Sequence, residues 1–439
     1  MQRVFCAVVC LAASASSRQS IRKEIRNLTD AELDLFVDAM WTLKRVDAAT
    51  GVAKYGDAFK PYDYFVAKHI DASLNYECDV AHFSPIFSIW HRALEVEFEK
   101  SLLAVEPLLP GLPYWDYRQD AEAPAESAVF SSKYFGAFVG DASKGFQVTN
   151  GRFGNWPVAS GNSTQTNWTN LHGFLRGPMS MNDAPTNTRN GGTMCGVPMG
   201  VGNASGWDRC LGFAAIKDFH YCLDFDVHGM AHFGVGGGWP RFEAQVPIEK
   251  PTSLYEPPEC ASFYGMVGDV IEGRGKGSYR YPLTRGCLVC PDCDAKGLAA
   301  EECVCTCANA DCSCPGLWSG DPSIVETIVD PERVQVVGDM YDPISSPNDP
   351  LFFLHHANMD RYLSAWMHKH RDQSPFFNFP EDPKTEPYCS AHLLDGTLGG
   401  PFPFFGLVRG AAADVPMTVR DVFTHYGIHT APYVYDTLQ

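Results

Sequence analysis

"SPNDPLFFLHHANMDR", residues Ser346 to Arg361, decides how this chain is read. Two histidines, His355 and His356, stand side by side in an otherwise apolar run. Asp349-Pro350 suits an N-cap followed by the first helical position, so the spacing predicts a helix from there to about His370. Phe352, Phe353, Met359 and Leu363 lie at helical spacing from His356, whereas His355 aligns with Leu351, Asn358 and Tyr362. Adjacent helical residues point about 100° apart, so the two imidazoles are not expected to reach the same point. A buried imidazole needs a partner, and the question is whether a metal supplies it.

Three other predicted helices carry histidines. In "YDYFVAKHIDASL", Tyr62, Phe65 and His69 share a face. A helix predicted from Ser84-Pro85 places Phe87, His91, Leu94, Phe98 and Leu102 on one stripe. His82 precedes that helix, so it can converge with His91 from another direction. A helix over about Ile216 to Phe233 holds His228 and His232 four apart, on one face. The first helix, in "NLTDAELDLFVDAMWTLKRV", carries no histidine and opens with capping-box spacing at Thr29 and Glu32. Residues 110 to 215 read as long ordered loops.

The histidines fall into two trios: His69, His82 and His91, then His228, His232 and one of His355/His356. Six neutral imidazoles without a carboxylate or thiolate suit copper best and zinc next.

Composition bounds the rest. The chain has 439 residues, and with 45% apolar and 20% charged residues it can bury a sizeable core. A formal net charge of -18 argues against nucleic acid or an anionic membrane as partner. Residues 1–17 read as a signal peptide: Arg3, a short apolar core, then small residues. No later stretch is long enough to span a bilayer. Sequons at Asn27, Asn162, Asn167 and Asn203 fit a secreted or lumenal glycoprotein. So do the cysteines: 16 in all, two of them within the signal. Eight lie between Cys287 and Cys314, in an insertion of about 248–330 that reads as a disulfide-stapled module rather than a metal-thiolate cluster. It divides a catalytic domain into 18–247 and 331–439. The expected fold is mainly α, a four-helix bundle with long loops and an inserted Cys-rich subdomain.

Several ordered motifs resemble the type 3 copper family of tyrosinases, catechol oxidases and molluscan haemocyanin units. They are "AHFSPIFSIWHRALEVEFE", "LPYWDYR", "NGRFGNW", "VHGMAHFGVGG", "NDPLFFLHHANMDRYLSAW" and "YVY" (Tyr433 to Tyr435). The resemblance covers roughly 22 to 240 and 334 to 436. It implies that the bundle holds a binuclear copper centre, with His69, His82 and His91 on one ion and His228, His232 and His356 on the other. It further implies oxidation of o-diphenols, and of monophenols as well in some relatives, to o-quinones with dioxygen. Phe233 is placed to contact a phenolic or catecholic substrate. Asp224, Asn358 and Asp360 are candidates to orient ligands or handle protons.

Two departures bear on chemistry. Relatives thought to deprotonate monophenols carry Asn directly after the first histidine of the second site, where this chain has Gly229. Val80 stands where many relatives have a thioether-forming cysteine, and Cys78 is expected in a disulfide instead. No shielding domain or membrane anchor is expected after the Y-x-Y element, which leaves the Cys-rich insertion as a candidate for any latency. Two other functions fit less well: a haemocyanin-like oxygen carrier, and a non-catalytic extracellular module built on the Cys-rich segment.

Overall fold

The computed structural model describes residues 19–74, 79–82, 84–161, 168–177, 180–194, 197–240, 286–299, 302–314, 335–372, 376, 379, 390–399, 403–408, 412 and 414–438. The signal segment, the sequons at Asn162 and Asn167, Cys78 and the flanks of the Cys-rich insertion lie outside the described residues.

The fold is mainly helical. Helix α1 (Asp30–Arg45) starts with the expected capping box, Thr29 and Glu32 each accepting the other's backbone N–H. It buries Leu33, Phe36, Val37, Met40 and Leu43. A short α2 (Ala48–Tyr55), capped by Asp47, leads to α3 (Tyr62–Leu74). Helix α4 (Phe87–Val105) begins two residues later than Ser84-Pro85 suggests. Ser84 instead closes a turn, its carbonyl accepting from Phe87 and its hydroxyl from Ile86. Helix α5 (Ala204–Gly212), capped by Asn203, falls within the stretch read as loop.

The helix expected over Ile216 to Phe233 is three pieces. Helix α6 (Ile216–Cys222) passes through a π-helical turn (Leu223–His228) into α7 (Gly229–Gly236). Such wide turns occur mostly at functional sites, and this one ends on His228. Helix α7 stops at Gly237, whose φ of 60° suits glycine. A four-residue α8 (Cys293–Lys296) sits in the Cys-rich segment. Helix α9 (Phe352–Lys369) starts after Asp349 has turned its carboxylate to Arg189 and to the N–H of Leu351. Helix α10 (Val419–Tyr426) closes the helical set.

Helices α3, α4 and α9 meet through rings. Phe98 and Phe353 stack at 3.5 Å, with Tyr62 and Phe65 edge-on to both. Short strands tie distant segments: β1 (Ser20–Arg22) runs parallel to β8 (Tyr433–Tyr435). Strands β2 (Thr193–Met194), β3 (Val197–Pro198), β4 (Gly238–Pro240) and β7 (Gln335–Val337) form a second small sheet. In the Cys-rich segment, β5 (Leu288–Val289) pairs with β6 (Thr306–Cys307). All eight of its cysteines are in disulfides: Cys287–Cys314, Cys290–Cys305, Cys293–Cys303 and Cys307–Cys312. A fifth bridge, Cys210–Cys222, joins α5 to α6.

Arg22 ties the first strand to the bundle. Its guanidinium reaches Glu99 on α4 at 2.8 Å and Asp360 on α9 at 2.8 Å, and lies 3.6 Å from the Tyr433 ring centre. Asp360 also accepts from Arg92 and from the Tyr435 hydroxyl, so it joins the chain ends to both helices. Arg22, Arg92 and Asp360 are all buried. Removing one partner of such a group strands a desolvated charge. Arg22→Met is therefore expected to cost about 3–5 kcal/mol in urea unfolding under non-reducing conditions. A loss below about 1 kcal/mol would show that Arg92 and Tyr435 satisfy Asp360 without it.

Candidate metal centre

Each expected histidine is brought into the bundle core. His69 lies on α3, His91 one turn into α4, and His82 on the segment between them, where the Asp79 carboxylate accepts its backbone N–H. These three form one cluster with ring centres 5.0, 5.6 and 5.7 Å apart. His228 ends the π turn, His232 sits on α7, and His355 and His356 sit on α9. These four form a second cluster, with a ligand atom from each within 4.8 Å of the others. The clusters adjoin, because His91 and His356 stack at 4.0 Å.

Three of the four Nε2 atoms of the second cluster show the sharpest geometry. Those of His228 and His232 lie 3.3 and 3.2 Å from Nε2 of His356. Three imidazoles sharing one ion about 2.0–2.1 Å from each nitrogen would be spaced in this way. His355 approaches nearer than helical geometry alone suggests. It stacks on His228 at 5.1 Å and meets His232 edge-on at 4.6 Å. Tyr117, beside it at 5.5 Å, closes that side.

Backbone carbonyls set the tautomers. A carbonyl can only accept, so a ring nitrogen bonded to one must carry the proton. Nδ1 of His91 donates to Phe87 O at 2.9 Å and Nδ1 of His228 to Asp224 O at 3.2 Å, both one turn back. Nδ1 of His69 donates to Ile344 O at 2.8 Å and Nδ1 of His232 to Met340 O at 2.7 Å. In all four residues Nε2 keeps its lone pair. Among the described residues the buried Nε2 atoms of His69 and His91 have no hydrogen-bond partner, an expensive state that a metal ion would relieve. Desolvation, reinforced by neighbouring imidazoles, holds His69, His91, His228, His232, His355 and His356 well below the usual histidine range. These six imidazoles are therefore neutral near pH 7, and the two clusters fit a pair of copper ions, each held by imidazoles.

The other candidates separate. The Asp224 carboxylate lies 3.2 Å from Nδ1 of His228. Phe233 is half-buried, with the Tyr341 ring centre 4.9 Å away. Asn358 is buried and accepts from Arg361 at 3.0 Å. Asp360 engages Arg22, Arg92 and Tyr435, so its contacts hold the chain ends rather than an imidazole. Sequence reasoning missed the carbonyls of Met340 and Ile344. Every residue carries a carbonyl, so no residue type announces one.

The description "Common central domain of tyrosinase" matches residues 60–257 and 317–369. A tyrosinase of Streptomyces antibioticus is 33% identical over 147 residues, 32% of this chain and 47% of that protein. A putative tyrosinase-like protein of Caenorhabditis elegans is 31% identical over 149 residues, 34% of this chain and 18% of that one. The matched segment thus spans about half the length, or less, of these relatives. A point mutant of the polyphenol oxidase of Thermothelomyces thermophila superposes with a TM-score of 0.50 at 18% identity, covering 96% of this chain and 90% of that one. That likeness speaks to the fold alone.

The buried histidines make stability depend on pH. Their folded pKa values lie below the unfolded value of about 6.5, so the unfolded chain binds more protons as pH falls. Their contribution is complete above about pH 7 and is lost progressively as pH drops through about 6.5 and below. His220, pulled down to about 4 by burial, adds to the effect. Glu95, pushed up by burial, opposes it with a single carboxyl. The metal-free protein is therefore expected to lose thermal stability steeply from pH 7 to pH 5, measured by calorimetry with chelator. A flat profile would contradict seven buried neutral imidazoles.

Proposed function

From the premise that the chain belongs to the tyrosinase family of type 3 copper proteins, we propose that it is a copper oxidase that converts o-diphenols to o-quinones with dioxygen. The observation that carries this reading is the convergence of the His228, His232 and His356 Nε2 atoms beside a second imidazole trio. We assign His69, His82 and His91 to one copper and His228, His232 and His356 to the other. Bound there, the copper pair supplies the redox couple between catechol and dioxygen. Two catechols and one dioxygen then balance as two quinones and two waters.

The chain's own residues hold the imidazoles, exclude water and admit an aromatic ring. His228 and His232 are buried, while Gly229, Met230 and Phe233 beside them are partly exposed. This is the side from which a flat substrate can approach. Gly229 places no side chain over His228, and a Cβ added there would come 3.7 Å from the Phe233 ring. The catechol ring is proposed to rest against Phe233 over that gap. With no side chain at Gly229 to order a base, catechols are the better substrates and monophenols the poorer. Disulfides in the Cys-rich segment and at Cys210–Cys222 fit an oxidising compartment, supporting secretion or retention in the secretory lumen.

The test is oxygen uptake by the copper-loaded protein with a catechol and the matching monophenol. Quinone from the catechol, with slower conversion of the monophenol, is expected. Reversible oxygen binding without turnover would identify a carrier instead. Ligand choice has its own readout: His356→Ala should drop copper content from two toward one per chain, whereas His355→Ala should leave it near two. The reverse pattern would exchange the two residues' roles.

A further inference from the structure

The four carbonyls that fix imidazole tautomers are of two kinds. Those of Phe87 and Asp224 lie one turn before their histidines, so the helical stretch itself delivers them. Those of Met340 and Ile344 come from the loop 338–345, more than 100 residues away from the histidines they meet. That single loop serves one histidine of each trio. It runs between β7 and α9 and has no helical ladder to hold its carbonyls in place.

Two buried carboxylates hold it instead. Asp339 takes both Nε and Nη2 of Arg176, at 2.7 and 3.0 Å, and also the N–H and hydroxyl of Thr188. Asp342 accepts from the Ile344 N–H at 3.0 Å, the Ser345 hydroxyl at 2.7 Å and the Gly177 N–H at 2.9 Å. Arg176 is anchored in turn by the carbonyls of Asn182 and Ala184. Gly236 and Gly338 let the loop lie on the end of α7. A Cβ at Gly236 would stand 2.1 Å from the Tyr341 nitrogen, and one at Gly338 would stand 2.2 Å from the Gly236 oxygen. The bond from Ile344 N–H to Asp342 and the bond from His69 to Ile344 O meet in one residue.

We propose that the loop 338–345, clamped by Asp342 and by the Arg176–Asp339 pair, is a shared positioning clip for both copper sites. It holds His69 and His232 with Nδ1 protonated and Nε2 free, so that a disturbance of the loop weakens both metals together. Asp339, Asp342 and Arg176 are positioning residues that act through Met340 and Ile344. The proposal rests on the ligand assignment given above. It differs from Asp79, which organises the backbone around His82 in the first trio alone through the N–H groups of Ala81 and His82.

The experiment titrates the metal-free full chain with cobalt(II). Uptake is followed by calorimetry and by the visible bands that report the ion's coordination geometry. The wild type tests the ligand assignment: two equivalents are expected, and fewer would overturn that assignment and the clip with it. The variants test the clip. Asp342→Ala should weaken both equivalents by about tenfold or more, the usual scale for losing a group that orients a metal ligand. Asp342→Asn keeps an acceptor for Ile344 and should recover part of that loss. Asp79→Asn should weaken one equivalent only. Leu33→Ala removes a buried side chain from α1, a helix that carries no histidine. It controls for lost stability and should leave both affinities and both spectra unchanged. If Asp342→Ala does not fold, the milder Ser345→Ala should shift both affinities in the same direction. Two affinities equal to wild type in the clip variants, or a loss confined to one equivalent, would overturn the proposal.

Discussion

The structure depends on keeping a nest of imidazoles neutral, dry and aimed inward. Burial alone would favour turning such polar rings outward, because each unpartnered nitrogen costs about 1–3 kcal/mol. The chain accepts that cost at the Nε2 atoms of His69 and His91 and recovers part of it at Nδ1 through carbonyls. What surrounds the histidines is accordingly rigid and aromatic. Phe352 packs within 4.1 Å of His356 and 5.1 Å of His69, and Phe87 within 4.5 Å of His228. These rings allow the imidazoles little room to swing out, and they keep the low-dielectric surroundings that hold the set unprotonated.

Rigidity at the centre needs fixed helices, and buried ion pairs fix them. Arg22 and Arg92 bracket Asp360, Arg189 pairs with Asp349 just before α9, and Arg176 pairs with Asp339. Pairs of this kind add little net stability over apolar packing. Their effect here is registry. Asp360 is four residues after His356, so fixing Asp360 against the ends of the chain also fixes the angle of the helix that carries His356. The carboxylate shapes the site through the helix axis rather than through contact with an imidazole.

Much of this was legible in the sequence because the histidines repeat at helical spacing between apolar residues. His228 and His232 at i and i+4, and His91 within the Phe87–Leu102 stripe, follow directly from periodicity. The capping box at Thr29 read correctly because it is local. The π turn did not, because a wide turn keeps the apolar pattern of a helix and shows only in its hydrogen bonds. Starts two residues late at α4 and α9 have a shared cause. Ser84 and Asp349, good caps by type, were drawn into other hydrogen bonds instead. The approach of His355 to the second cluster was hidden for another reason. The 100° rule describes where a side chain leaves its helix, whereas the facing π turn decides what it meets.

In sequence the Cys-rich segment lies between the histidines of α7 and those of α9, a separation that would be costly if the two had to find each other across an open loop. They do not. Strand β4 pairs antiparallel with β7, Gly238 opposite Val337 and Trp239 opposite Val336, so the chain leaves and re-enters at adjacent points. Closing a long excursion costs only slightly more than closing a short one, since the entropy grows with the logarithm of length. Strand β4 follows directly from α7, which carries His232, and β7 runs straight into the loop that accepts from His232. The stretch between them can thus be long while the two edges it separates stay in register. The sulfurs of the Cys-rich segment pack on Leu171, Met181 and Val336, residues that flank Arg176 or precede Asp339. The disulfides therefore substitute for a core that so short a segment could not build alone.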